Sequence, residues 1–157
     1  MMNSLNFPLA EYPIMKSIIY SILKAYSITI NSDEATLNEN MIMRFIARGI
    51  LSHARNGFIT FEDFKNEMNG QMPPDMRLNI DNLYGLFAPI KNGLQYINEE
   101  SLPFEIEQRF EFLFKIKKEW NQNEIEPFFV DFVTSKLSFQ DFASRHVRLA
   151  EGKWMKR

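Results

Sequence analysis

Apolar residues recur at every third or fourth position in AEYPIMKSIIYSILKAY, where Ile14, Ile18, Ile22 and Ala25 line up, and this spacing predicts a helix over 13–26 with Pro13 near its start. The next stretch, SITINSDEATL, alternates apolar and polar positions on either side of Asn31-Ser32-Asp33, which predicts a hairpin of 27–30 with 35–37. NENMIMRFIARGILSHA returns to helical spacing over about 39–54, with Met41, Phe45, Ile46, Ile50 and Leu51 as the stripe that faces a core. A short extended piece at Phe58 and Ile59 leads to a helix over 61–69, the proline loop MPPDMR and a third helix over 76–84. LFAPIKNGLQYI then sets two apolar runs around Lys91-Asn92-Gly93, and Asn-Gly favours the positive φ of a tight hairpin.

From Pro103 and Phe104 the pattern starts again. EIEQRFEFLFKIKKEW reads as one long helix with Phe110, Leu113, Phe114 and Ile116 inward and Lys115, Lys117 and Lys118 mostly outward; Trp120, which closes it, belongs with the core. NQNEIEPFFVDFVTS follows, N-capped at Asn121 or Asn123. SFQDFASRHVRLAEG reads as the closing helix, with Phe139, Phe142 and Val147 inward, and KWMKR is left as the stub of a wing. Helix, short strand, helix, helix and hairpin within about 65 residues is the winged-helix variant of helix-turn-helix. The expected fold class is mainly α with short β-hairpins (α+β), built as tandem winged-helix modules of which the first is incomplete. Residues 1–38 would be the rear half of one module, 39–102 a second, and 103–157 a third with a truncated wing.

The stretch NGFITFEDF, residues 56–64, resembles the back half of a calcium loop, but with Gly57 at the sixth position the first falls on Ser52 and the third on Ala54, leaving Asp63 as the one carboxylate. A hard cation would stay hydrated there. The same residues make a helix start, with Thr60 as N-cap, Asp63 at N3, and Ile59 and Phe64 as a hydrophobic staple. LSFQDF at 137–142 repeats ITFEDF at 59–64, which suggests one small helical module used more than once.

At 157 residues, 45% hydrophobic and 14% aromatic, the chain has the composition of a folded protein. With no Cys, it has no disulfide, thiol nucleophile or thiolate metal site. No apolar run is long enough to span a bilayer and MMNSLNFPLAEYP lacks the pattern of a signal peptide, so the reading is a soluble intracellular protein with no membrane partner. Neither a Gly-rich phosphate loop nor an H-E-x-x-H motif occurs, and His53 and His146 fall in separate modules. The expectation is therefore a protein that is not an enzyme, with no catalytic residue, metal or cofactor.

Charge changes the picture at one end. Residues 136–157 hold Lys136, Arg145, Arg148, Lys153, Lys156 and Arg157 against Asp141 and Glu151, whereas residues 1–102 hold eleven acids against eight bases. A basic end attracts phosphate backbones. The third helix of a winged helix is the usual groove-facing element, and in the last module Arg145 and Arg148, three apart, would share its outward face. Lys153, Lys156 and Arg157 would extend that face into the tail. No Asn or Gln beside the arginines is placed to read base edges, so the expected contact is with the phosphates of single- or double-stranded DNA, independent of sequence. Trp154 either stacks on a base or docks on a partner, or it covers the edge of its own module.

Residues 82–132 carry Leu102-Pro103, Arg109-Phe110, Leu113-Phe114, Lys118, Trp120, Glu124-Ile125 and Pro127 in order, and the closing basic segment adds His146 and Arg148. With this spacing the chain resembles the C-terminal region of the Dcc family, "defective in sister chromatid cohesion", and LNENMIMRF at 37–45 looks like the start of that family's middle winged helix. The resemblance implies a non-enzymatic subunit of the alternative, Ctf-type replication factor C clamp loader, acting in the nucleus at replication forks in DNA replication and sister chromatid cohesion. It implies partners among the clamp-loader subunits, DNA and polymerase epsilon. The family's N-terminal β-rich region has no counterpart here, so the chain reads as a C-terminal fragment or a reduced relative. Two classes stay open: a DNA-binding accessory, or winged helices that dock protein and have no direct DNA role.

Overall fold

Asn38 accepts from the amide of Met41 through Oδ1 at 3.2 Å, and helix α1 runs from that cap over Glu39–His53. The computed structural model describes Ser21 and residues 27–30, 35–134 and 137–157. Strands β1 (Ser27–Ile30) and β2 (Ala35–Leu37) pair antiparallel, Ser27 opposite Leu37 and Ile30 opposite Ala35, as the alternation predicts. Apart from Ser21, the helix expected over 13–26 lies outside the described residues, as do the turn residues between the strands. The chain divides into two compact units, Met1–Phe45 and Ile46–Arg157, with the boundary inside α1.

The second unit carries two three-stranded antiparallel sheets. The first joins β3 (Phe58–Thr60), β4 (Phe87–Ile90) and β5 (Gly93–Tyr96) in the order β3-β5-β4. Between β3 and β4 lie helix α2 (Phe61–Gln71) and a 3-10 turn at Ile80–Leu83. The second half begins with α3 (Ile106–Ile116), followed by β6 (Glu119–Trp120), α4 (Gln122–Ile125), a 3-10 turn at Glu126–Phe129, and α5 (Phe139–Ala143). It closes with β7 (Arg148–Ala150) and β8 (Lys153–Met155), paired in the order β6-β8-β7. Both sheets therefore have the order first, third, second, with the first strand against the last.

The two Asp-Phe repeats fold as capped helices. Thr60 Oγ1 accepts from Asp63 N at 3.1 Å and donates to Asp63 Oδ2 at 2.7 Å; Ser138 Oγ does the same with Asp141 at 3.2 and 2.7 Å. They are not the same part of a repeated module, however. Thr60 ends the first strand of its sheet and caps the helix after it, and the residue that caps the helix after the first strand of the second half is Asn121, whose amide and side chain both donate to Glu124 at 3.0 Å. Asn121 is thus the cap, and the repeat marks a favourable local hydrogen-bond pattern.

Four expectations are corrected by packing. In α1 the buried face is Met43, Ala47, Ile50 and Leu51, while Met41 and Phe45 are 42% and 64% exposed. Apolar residues lie on two sides of that helix, and Met41 sits two positions, about 200°, from Met43. The helix expected over 76–84 contracts to the 3-10 turn, because Asn79 Oδ1 takes the Asp81 amide at 3.1 Å and competes with the helical ladder. The long helix stops at Ile116. Lys117 turns extended, its carbonyl accepts from the Trp120 indole at 2.9 Å, and Trp120 pairs with Trp154 as a strand residue. The closing helix stops at Ala143, and the residues expected as its end and as a wing stub form the β7–β8 hairpin. Pairing β8 with β6 and burying Val147 and Trp154 outweigh the helical propensity of that stretch.

One aromatic core fills the second half. Phe110, Phe114, Trp120, Phe128, Phe129, Phe139, Phe142 and Trp154 belong to it, and the Phe110 and Phe129 rings stack 4.2 Å apart. Ala88 of β4 and Ile97, just after β5, join the same cluster. Among the described residues Arg109 and Glu124 are the buried charges. Arg109 donates from Nε to Pro103 O at 2.7 Å and from Nη1 to Phe128 O at 2.8 Å, and burial pushes its pKa below the ordinary value, with Asp131 opposing. Glu124 receives Asn121 and pairs with Lys117. Among the described residues no helix is long and apolar enough to cross a membrane, and no group of three His, Asp or Glu side chains is placed to hold a metal ion.

Candidate nucleic-acid interface

Glu151 and Gly152, at φ 50° and 75°, form the two-residue turn that joins β7 to β8, both in the left-handed region that type I′ hairpins need. The register sets Arg148 opposite Met155, Leu149 opposite Trp154 and Ala150 opposite Lys153, while Met155 faces Glu119 of β6 on its other side. Because side chains alternate along a strand, Arg148, Ala150, Lys153, Met155 and Glu119 share one face. Leu149 and Trp154 are on the other. Trp154 is 1% exposed and meets the Phe139 ring edge-on at 5.7 Å, so its face is the core side and the basic face is the solvent side.

This placement corrects the helical arrangement expected for the two arginines. Arg145 lies in the turn after α5 and donates its amide to Phe142 O at 3.3 Å; Arg148 is a strand residue. What the structure brings together instead is Arg148 with Lys153 on the sheet, and Arg157 with the residue before Arg145, since the Arg157 guanidinium donates to the Ser144 carbonyl. Arg145, Arg148, Lys153, Lys156 and Arg157 are all exposed. Trp154 is not available to a base or a partner, for its ring is enclosed. Its indole N–H has no acceptor, in contrast to that of Trp120.

Glu119 was not foreseen. Its Oε2 lies 3.2 Å from Lys153 Nζ, both side chains about half exposed, and removes part of the positive field. The two residues are 34 positions apart and only the β6–β8 pairing joins them, so no local signal marks the pair. His146 is a packing residue: its ring stacks on Phe110 at 5.8 Å and its Nδ1 is 3.8 Å from Glu107. Helix α5, five residues long, turns Gln140 and Asp141 outward, and Ser144 just after it is exposed, a surface that offers an acid to an approaching phosphate. The face can attract and hydrogen-bond anionic oxygens through its guanidinium and ammonium groups.

The family model described as "Sister chromatid cohesion protein Dcc1" matches residues 2–129, ending before the basic hairpin. A Dictyostelium discoideum protein named "Probable sister chromatid cohesion protein DCC1" is 28% identical over 121 residues, covering 72% of this chain and 32% of the relative. The Saccharomyces cerevisiae "Sister chromatid cohesion protein DCC1" is 23% identical over 145 residues, 87% of this chain and 38% of the relative. The Danio rerio protein of the same name is 25% identical over 116 residues, 71% and 29%. The chain thus spans about a third of the length of the curated relatives it matches.

Proposed function

This chain belongs to the family of sister chromatid cohesion protein Dcc1, and from that premise we propose that it is a non-enzymatic winged-helix protein that holds the phosphate backbone of DNA on its β7–β8 hairpin. The hairpin is the wing of the last module, 103–157; the module before it is 39–102, and 1–38 is the rear half of another. The shared strand order of the two sheets, each with helical segments between its first and second strands, two in the first and three in the second, supports this reading. In this proposal the chain acts in the nucleus, in DNA replication and cohesion, with the subunits of an alternative clamp loader as its partners.

The observation that carries the DNA reading is that Arg148 and Lys153 share the solvent face of one sheet, with Arg145 and the Arg157-capped turn at its edge. Contacts made from a wing by these groups are to phosphate oxygens, so affinity would be similar across unrelated sequences and steeply dependent on salt. Arg145→Glu with Arg148→Glu is expected to weaken binding to duplexes of different sequence alike and to reduce the log–log salt slope by about two, near 0.9 per lost contact. The melting temperature stays nearly unchanged. Fluorescence anisotropy on plain duplex and single strands from 50 to 200 mM salt, a range over which such contacts respond strongly, provides the measurement. Equal binding by variant and parent would remove DNA from this face.

Protein docking, on polymerase epsilon or another replication protein, is the second reading. It is favoured by Glu119, which offsets Lys153 on the same face. A shallow salt slope with undiminished capture of that partner would select it.

A further inference from the structure

Phe104 is 90% exposed and Val130 64%. A lone exposed apolar residue is ordinary on a protein surface. These two differ in what holds them. Arg109, buried beneath, donates to the carbonyl of Pro103 at 2.7 Å and to that of Phe128 at 2.8 Å, so one planar guanidinium ties the loop carrying Phe104 to the turn carrying Val130. The Phe132 ring lies against the same guanidinium, 4.8 Å from ring centre to Cζ, and Asp131 Oδ2 is 3.9 Å from Nη1. Backbone that is already fixed loses little conformational freedom on binding, which is the condition under which a small apolar surface yields useful affinity.

An exposed acid stands beside each of the two, Glu105 next to Phe104 and Asp131 next to Val130, while Arg109 between the two loops is buried. Such a surface repels phosphate and attracts lysine and arginine. We propose that Phe104 and Val130 form a docking surface for a partner protein segment that presents a bulky apolar side chain flanked by lysine or arginine. The surface is separate from the basic hairpin in residues and in sign of charge, so the two would take different ligands. An apolar contact ringed by charge complementarity is the arrangement in which a few side chains supply most of the affinity.

The test uses the full chain panned against a displayed random peptide library, followed by titration of synthetic enriched peptides. The expected peptides place an aromatic or branched aliphatic residue within a few positions of Lys or Arg. Their affinity falls at least about tenfold with Phe104→Ser plus Val130→Ser, as for a central contact, and is unmoved by Arg148→Glu plus Lys153→Glu. Peptides without a basic residue, or binding that survives the double serine change, would overturn the proposal. So would a clear drop in melting temperature of the serine variant, since that would make the side chains part of the core. Leu149 beside Arg148 gives the chain itself a matching segment. Sedimentation that finds the parent self-associated and the serine variant monomeric would assign the surface to a second copy and overturn the partner reading.

Discussion

Loss of the Arg109 side chain would take its hydrogen bonds from two carbonyls, those of Pro103 and Phe128. Its fork reaches Pro103 O and Phe128 O at once. Arg109→Leu is expected to cost about 3 kcal/mol, the range for removing one partner of a buried charged hydrogen-bond set. Arg109→Lys should recover little, because one ammonium on a flexible stem does not span both carbonyls as a planar fork does. Urea unfolding of the three proteins measures this, and full recovery with lysine would show that charge alone matters. The Arg-Phe pair was legible as a family signature, with Phe110 inward. That Arg109 is buried beside it was not, since a charged residue next to an apolar stripe ordinarily faces water.

At the scale of elements, the β4–β5 hairpin shows how a turn signal can be right for a different reason. Asn92 takes φ 71°, but Gly93 is not in the left-handed region. Its importance is the approach of β3: a Cβ on Gly93 would lie 2.3 Å from Ile59 O and 2.7 Å from the Phe58 ring. Gly93→Ala must push one strand off another and is expected to destabilise by about 2 kcal/mol. Gly49→Ala in α1, where nothing lies within 4 Å of the new methyl, should instead stabilise by about 0.5–1 kcal/mol. Thermal unfolding of both variants checks the contrast, and a neutral Gly93→Ala would mean that the β3–β5 contact is looser than the geometry requires. Asn-Gly in the sequence announced the hairpin. The third strand that makes its glycine necessary is more than thirty residues away.

At the scale of the molecule, the two halves of residues 46–157 share structure. Ala88 and Ile97 are members of the aromatic core of the second half. Tyr84 is held above its ordinary pKa first by burial, then by the charge of Asp81, and then by Glu124 from the other half. The halves are therefore expected to unfold together. Both tryptophans lie in the second half, so their fluorescence reports on it alone. Leu83→Ala, a fully buried change in the first half, should cost about 2–5 kcal/mol. If the halves are coupled, the loss appears at the same urea midpoint by tryptophan fluorescence and by far-ultraviolet circular dichroism. A fluorescence midpoint that does not move would show that they unfold independently.

The sequence by itself carried the family signature and determined what rests on neighbours close along the chain: the caps Thr60 with Asp63 and Ser138 with Asp141, the β1–β2 hairpin pairing, and the inward row Phe110, Leu113 and Phe114. The caps and the helical row meet within one turn of chain whatever surrounds them. Only the tertiary structure decided which face of α1 is buried, where the last helix ends, that Trp154 is enclosed, and that Glu119 sits beside Lys153. The stretch from Arg145 to Glu151 has a helical pattern of its own, and a strand becomes the better state there only when β8 pairs with it and with β6 and the aromatic core covers the inner face.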